Sequence, residues 1–233
     1  MWAELGLVLG AYLYGSLPFV WLTAWRKGIN LREYGSGGVS SSALYQTAGA
    51  GALITGGFGD FTKGVLPVAV GYYLLNFDLE VVCLAGILAL IGQCWPVFLR
   101  FHGGRGGSVS MGMGITLVPK QALIALIPYF AGLIWHGLIT RHGKTQRQSK
   151  ETPSRIVPLG MLVSFALLPI ITWLWGQPQV ISLTFAAVFL LLVIRRLTAD
   201  LSRDLKARPT SEAVTTILVN RFLYDRSYRD RYR

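Results

Sequence analysis

A stretch of 39 residues, 156–194, contains no charged side chain. A helix needs about 20 mostly apolar residues to cross the hydrocarbon core of a bilayer, so this stretch is long enough for two crossings. It is interrupted at 176–179 by Gly-Gln-Pro-Gln, a sequence typical of a tight turn. The pattern predicts two membrane-spanning helices joined as a hairpin.

The composition extends this prediction to the rest of the chain. Of its 233 residues, 52% are hydrophobic and only 14% are charged, whereas ordinary soluble domains contain roughly 25% charged residues. We therefore predict an all-α integral membrane protein, with a polytopic membrane domain at 1–205 and a basic tail at 206–233. The apolar run 5–24 lacks the basic start and the cleavage site of a signal peptide, so we expect it to remain as the first span.

The positions of the basic residues predict the topology. Of the 22 Lys and Arg residues, 20 fall in four segments, at 25–34, 100–105, 141–155 and 195–233. The positive-inside rule places these segments in the cytoplasm, and an even number of crossings must then separate each successive pair.

The short apolar runs 65–77 and 111–118 must therefore each cross or nearly cross the bilayer. This gives about seven transmembrane helices, with the amino terminus outside and the carboxyl terminus cytoplasmic. We expect the short spans to be buried among their neighbours or to start inside the cytoplasmic loops. Five spans with re-entrant segments is the alternative.

Several functional classes are disfavoured. The net charge of +11 does not indicate nucleic-acid binding, because the basic residues lie between apolar runs. Cys83 and Cys94 share one hydrophobic run, which argues against a disulfide framework or a zinc site and favours core packing. His102, His136 and His142 lack metal-ligand spacing, so no metal or other cofactor is indicated. A small transporter is a less favoured alternative, because charged spans and inverted repeats are not visible.

Two glycine-rich segments are candidates for anion binding, because successive backbone N–H groups in such loops can converge on a phosphate. In the first segment, at 35–42, the candidate residues are Gly35, Ser36, Gly37 and Ser42. The second segment, at 101–108, surrounds a fixed cation with glycines, and its candidates are His102, Gly103, Gly104, Arg105 and Gly106. A flexible surface loop is the alternative for the first segment.

An acid and a base lie between these two segments. Asp60 and Lys63 stand three residues apart beside an apolar run. Charges next to a membrane span are costly unless they are paired or used in function. A functional pair and a structural ion pair at a helix end both remain open.

Four short motifs follow one another along the chain. They are Gly-Ser-Leu-Pro-Phe at 15–19, Gly-Ile-Asn-Leu-Arg and Gly-Ser-Gly within 28–37, Asp-Phe-Thr-Lys-Gly-Val-Leu-Pro at 60–67, and Pro-Val-Phe-Leu-Arg-Phe-His-Gly-Gly-Arg-Gly at 96–106. In this order they resemble the motifs of the bacterial acyl-phosphate:glycerol-3-phosphate acyltransferases, the PlsY family.

The resemblance implies an activity and a location. A fatty acyl group would pass from acyl phosphate to the sn-1 hydroxyl of glycerol 3-phosphate to form lysophosphatidic acid, without a cofactor or an enzyme nucleophile. The protein would lie among the lipids of the bacterial cell membrane, with its active site facing the cytoplasm and the acyl chain in a groove between spans.

The resemblance also implies roles for the candidate residues. Arg105 and Ser36 would be catalytic, and Asp60 and Lys63 would order the substrate-binding loop. The two glycine segments would hold the phosphates, through Gly35, Gly37, Ser42, His102, Gly103, Gly104 and Gly106.

The chain departs from the family pattern at several positions. Gln93 stands where the family has His, Arg105 replaces a Lys, and residues 195–199 replace an Arg-His-Arg-Glu-Asn run. The Gly-Ser-Gly motif continues differently, with only Ser42 kept in kind. Two interpretations follow: an active enzyme in which His102, Arg105 and Arg196 supply the missing contacts, or a paralogue that binds lipid or phosphate ligands without turnover.

The tail at 206–233 alternates Tyr and Arg near its end. This pattern suits an anionic membrane surface. A disordered, solubilising tail is the alternative.

Overall fold

The computed structural model describes residues 1–31, 41–142, 156–199, 201, 205–206 and 214–225. Within these ranges the chain forms a bundle of helices connected by turns, which confirms the predicted all-α class. The helices are α1 (Trp2–Gly15), α2 (Phe19–Arg26), α3 (Ser41–Ala69), α4 (Leu79–Cys94), α5 (Gly107–Leu117), α6 (Pro119–Ala125), α7 (Ile127–His142), α8 (Ile156–Leu174), α9 (Gln179–Thr198) and α10 (Val214–Tyr224).

Four segments among the described residues are long and apolar enough to cross a bilayer. They are Trp2–Arg26, which joins α1 and α2, Leu79–Leu99, Ile156–Leu174 and Gln179–Thr198. A fifth is reached if α6 and α7, which meet at a 43° bend, form one broken span. The integral-membrane character agrees with the sequence, whereas the count of seven and the orientation of the termini remain predictions.

The two short apolar runs belong to longer or buried helices, as expected. The run at 65–77 continues a 29-residue helix, α3, which begins in the serine-rich segment, bends at Gly49 and ends in a single π-helical turn, Val70–Leu74. The run at 111–118 belongs to α5, which starts in the second glycine-rich segment, residues 101–108, called the glycine loop. Six of the eleven residues of α5 are buried. Burial by protein lets a helix too short to span the bilayer lie inside it.

Helix α4 lies at the centre of the bundle. It packs against α1, α3 and α9, and nine of its sixteen residues are buried. Both cysteines lie in this helix as free, buried thiols, which confirms their predicted packing role. An almost wholly apolar helix suits this position because it meets protein on several sides.

Glycines allow two of the helix pairs to approach at backbone distance. A Cβ atom on Gly15 or Gly92 would overlap the facing helix in the α1–α4 pair, and one on Gly64 or Gly112 would do so in the α3–α5 pair. Small residues at such crossings allow close van der Waals packing, which is a main source of helix association in a membrane.

The last elements bring the carboxyl-terminal part of the chain back onto the bundle. Helices α8 and α9 form the predicted hairpin, and Gly176 in its turn has a left-handed φ of 66°. Helix α10, within the predicted basic tail, packs against α8 and α9. The described part of the tail is therefore attached to the membrane domain.

We predict that Gly64→Ala destabilises the protein, because the added methyl group would overlap the backbone of Val109 and Met113. The expected loss is about 1–3 kcal/mol, the usual cost of overpacking. Thermal unfolding in detergent would measure it. Gly10→Ala is the matched control, because no atom lies within 4 Å of its Cβ position, and an equal loss in both variants would contradict the packing argument.

Candidate active site

A ring of three buried polar side chains lies between α3 and α4. Lys63 Nζ donates to Asp60 Oδ1 at 2.7 Å and to Gln93 Oε1, and Gln93 Nε2 donates to Asp60 Oδ2 at 2.7 Å. Lysine only donates and a carboxylate only accepts, so the amide between them must use both of its ends. Each residue of the ring is therefore bonded to the other two.

The hydrogen bonds of this ring explain how two charged side chains can be buried here. Asp60 and Lys63 are 3% and 1% exposed, and an unpaired buried ion costs several kcal/mol. The ammonium group also lies 5.2 Å from the centre of the Phe19 ring, within cation–π range. The pair lies well inside α3, which corrects the expectation of a pair at a helix end: α3 begins as early as Ser41 and extends to Ala69.

The role of Gln93 was not predicted from the sequence. This residue stood out only as a departure from a family histidine, although the structure makes it the third member of the ring. One sequence signal could have indicated this role. Gln93 is an amide in an otherwise apolar run, and a buried amide requires hydrogen-bond partners.

Three of the four motif segments meet at a small cleft beside the ring. Motif 15–19 contributes Ser16, Leu17 and Pro18, and the glycine loop contributes Gly103 and Gly104. The three ring residues also line the cleft, together with Val20, Pro96 and Leu99. Segments that are far apart in sequence thus build one concave surface.

The glycine loop is held in place from two sides. The N–H of Gly104 donates to the carbonyl of Gln93 at 3.0 Å. Arg195, at the end of α9, donates from Nε to the carbonyl of Gly104 at 3.0 Å and from Nη2 to that of Gly103 at 2.8 Å. The substitution at 195–199 was visible in the sequence, whereas this structural role of Arg195 was not.

Gly106 ends the loop with a conformation that favours glycine. Its φ of 81° lies in the left-handed region, and it is the residue before α5. A Cβ atom there would also crowd Leu90. The loop therefore turns directly into a buried helix.

Arg105 contacts the end of α10 and is not among the residues that line the cleft. Its Nη1 lies 2.9 Å from Asp225 Oδ1 and donates to the carbonyl of Arg196 at 3.3 Å. Arg196, which was expected to supply a missing substrate contact, donates to the carbonyls of Phe222 and Pro158. In this structure both guanidinium groups therefore contact protein.

His102 lies on the exposed side of the loop. Its Nδ1 is 2.7 Å from the carbonyl of Arg100, and it is not among the residues that line the cleft. Arg100 and Phe101 have φ values of 53° and 64°, so a sharp left-handed turn redirects the chain at this point.

Part of the predicted site lies outside the described residues. Gly35, Ser36 and Gly37 fall in the undescribed range 32–40, and Ser42 lies in the first turn of α3 with its side chain undescribed. Their roles, catalytic for Ser36 and phosphate binding for the other three, remain predictions.

The geometry and the motifs agree with a comparison to known protein families. A family model described as glycerol-3-phosphate acyltransferase matches residues 5–144, more than half of the chain. The chain belongs to this family. The match covers the cleft, the buried ring and the glycine loop.

Individual relatives extend the similarity of this family member beyond residue 144. Two proteins named glycerol-3-phosphate acyltransferase 4 and 5, from Dehalococcoides mccartyi strains CBDB1 and ATCC BAA-2266, are 29% and 31% identical to it. Each alignment covers 97% of this chain, and 88% and 87% of the respective relatives.

Crystal structures support the fold of this family member. The glycerol 3-phosphate form of PlsY (YgiH), described as an integral membrane glycerol 3-phosphate acyltransferase, superposes with a TM-score of 0.72 at 24% identity. The superposition covers 93% of this chain and 98% of that one. The lysophosphatidic acid form gives a TM-score of 0.70.

We predict that Lys63→Met destabilises this family member by about 3–5 kcal/mol, because it leaves a buried carboxylate without its cation. The double variant Asp60→Asn/Lys63→Met should be more stable than the single variant, because it removes the uncompensated charge. Thermal unfolding of both proteins in detergent would test this. Equal losses in the single and double variants would show that the charge pair is not the cause.

Proposed function

We propose that this family member is an acyl-phosphate-dependent glycerol-3-phosphate acyltransferase. It transfers a fatty acyl group from acyl phosphate to the sn-1 hydroxyl of glycerol 3-phosphate, forming lysophosphatidic acid and inorganic phosphate. The observation that carries the proposal is the convergence of three motif segments on one cleft beside the buried ring. Family membership and the names of the relatives support the same reaction.

The reaction needs no covalent intermediate with the protein. The acceptor's hydroxyl oxygen bonds to the acyl carbon, the bond from that carbon to the phosphate oxygen breaks, and the hydroxyl proton passes to the released phosphate. Phosphate is a good leaving group, so the protein contributes by bringing two anionic substrates together and stabilising charge on the carbonyl oxygen.

The glycine loop is suited to this task because it is held rigid. Arg195 fixes the carbonyls of Gly103 and Gly104, and Gln93 fixes the N–H of Gly104. A loop that is already ordered loses little freedom when it binds a phosphate. We assign substrate binding to Gly103, Gly104 and Gly106, and to the buried Asp60–Lys63 pair the role of ordering the loop through Gln93.

The remaining predicted residues complete the proposed site. We assign catalytic roles to Arg105 and Ser36. Gly35, Gly37, Ser42 and His102 would contact the substrate phosphates, His102 from its exposed position on the loop. The acyl chain would lie in a groove between spans, in contact with membrane lipids.

We also propose a topology of seven crossings. The segments are α1 with α2, α3, α4, α5, α6 with α7, α8 and α9, so that the amino terminus lies outside and α10 lies in the cytoplasm. The contacts from Arg195 to the glycine loop support this arrangement, because they join two of the basic segments at one end of the bundle. The site would then face the cytoplasm of a bacterial cell.

We predict that the purified protein in lipid catalyses this acyl transfer. With palmitoyl phosphate and glycerol 3-phosphate, it should release phosphate and form lysophosphatidic acid, and omission of the acceptor should abolish lysophosphatidic acid formation. The relative from Geobacter metallireducens, 39% identical over 124 residues, is a suitable control. Turnover by that relative alone would instead favour a paralogue that binds ligands without catalysis.

We predict that acyl transfer requires the cation of the glycine loop. Arg105→Ala should lower acyl transfer by at least about a hundredfold, the usual effect of removing one preorganised electrostatic contact. Lys27→Ala removes an exposed cation from another basic segment and should retain wild-type turnover. Turnover of Arg105→Ala at the level of this control would refute the assignment.

A further inference from the structure

Helix α10 ends beside the guanidinium group of Arg105, the cation of the glycine loop. Asp225 follows directly after α10, and its Oδ1 lies 2.9 Å from Nη1 of Arg105. Both side chains are about four-fifths buried, with exposures of 20% and 19%. A pair at this depth is screened less than one on the surface, so it has more influence on where the arginine points.

Two further arginines attach α10 to the membrane domain. Arg196 donates to the carbonyl of Phe222 at 3.0 Å and to that of Pro158 at 2.6 Å. Arg221, which is 1% exposed, donates to the carbonyl of Ala199. These bonds connect the last turn of α10 to the ends of α8 and α9, so Asp225 has a defined position.

The position of Asp225 is unfavourable for an isolated helix. An acidic side chain directly after a helix lies at the negative end of the helix dipole, which is electrostatically unfavourable. Its φ of 51° is also a left-handed value that few residues other than glycine adopt. The ion pair with Arg105 offsets both costs.

The carboxylate also acts on a second positive charge, that of Arg196. The charges of Asp225 and Arg105 both act on Arg196, and Arg105 donates to the Arg196 backbone carbonyl. Without the carboxylate, the repulsion between the two guanidinium charges would be uncompensated by Asp225. The Oδ1 atom is buried and its contact with Nη1 is ionic, without an aligned hydrogen bond.

We propose that Asp225 is a positioning residue for acyl transfer, which acts by holding Arg105 in place beside the glycine loop. This inference rests on the proposed function. Among the described residues, the contacts of Arg105 with Asp225 and with the Arg196 carbonyl both use Nη1, so the Nε–Nη2 edge of the fork can bind a substrate phosphate in a bidentate manner. Arg105 directly follows Gly104, which lines the cleft, so the pair with Asp225 fixes the cation of the loop one residue from the cleft lining.

The kinetic test compares Asp225→Asn with Asp225→Glu in the palmitoyl phosphate assay. The Asn variant should lower kcat/KM roughly tenfold, in the range expected when a partly buried ion pair is broken. The Glu variant, which keeps the charge, should recover most of this loss. The melting temperature of the Asn variant should stay close to wild type, so that the effect is on the site and not on the fold.

Asp78→Asn is the matched control, because it removes an exposed carboxylate before α4 and should leave kcat/KM unchanged. Wild-type kcat/KM in Asp225→Asn would overturn the inference. A raised value would overturn it as well, since the carboxylate would then be competing with substrate phosphate for Arg105. An inactive wild-type protein would instead overturn the proposed function, and with it this role.

A second measurement detects the proximity of the two residues without any turnover. In the double variant Arg105→Cys/Asp225→Cys, a short bismaleimide should join the two thiols in membranes, and mass spectrometry of the tryptic fragments would identify the linked peptides. Each single variant controls for reaction at the native, buried Cys83 and Cys94. Failure of the double variant to cross-link would overturn the placement of α10 over the loop.

Discussion

The site depends on a closed set of three hydrogen bonds in the middle of the bundle. Asp60, Lys63 and Gln93 bury two opposite charges, and neither charge could remain there without the other. The same Gln93 accepts the N–H of Gly104 through its backbone carbonyl. One residue therefore connects the buried charge pair on α3 to the conformation of the glycine loop.

Helix α9 also contacts the glycine loop. Arg195 binds two loop carbonyls and lies over the Trp95 ring, with 5.5 Å from the guanidinium carbon to the ring centre. Helix α9 therefore supports the loop as directly as α4 does. A loop held by these contacts keeps its conformation without rearrangement, which is a condition for electrostatic preorganisation.

The sequence predicted those parts of the molecule that follow from hydrophobic length and motif order. The 156–194 hairpin, the burial of α5 and of both cysteines, and the family were all accessible in this way. Contacts between distant segments could not be predicted, because motif spacing carries no information about which carbonyl a side chain will reach. Arg195 and Arg196 show this most clearly: adjacent in sequence, they bind the glycine loop and α10, respectively.

The amide at position 93 also affects whether the hydrogen bonds of this residue depend on pH. A histidine, which the family pattern has at this position, takes up a proton near neutral pH and then donates from both ring nitrogens, so it can no longer accept a bond from Lys63. Glutamine has no such equilibrium. In this chain, therefore, neither the bond from Lys63 to Gln93 nor the bond from Gln93 to Asp60 depends on protonation of residue 93, so that residue cannot serve as a proton sensor or a proton relay.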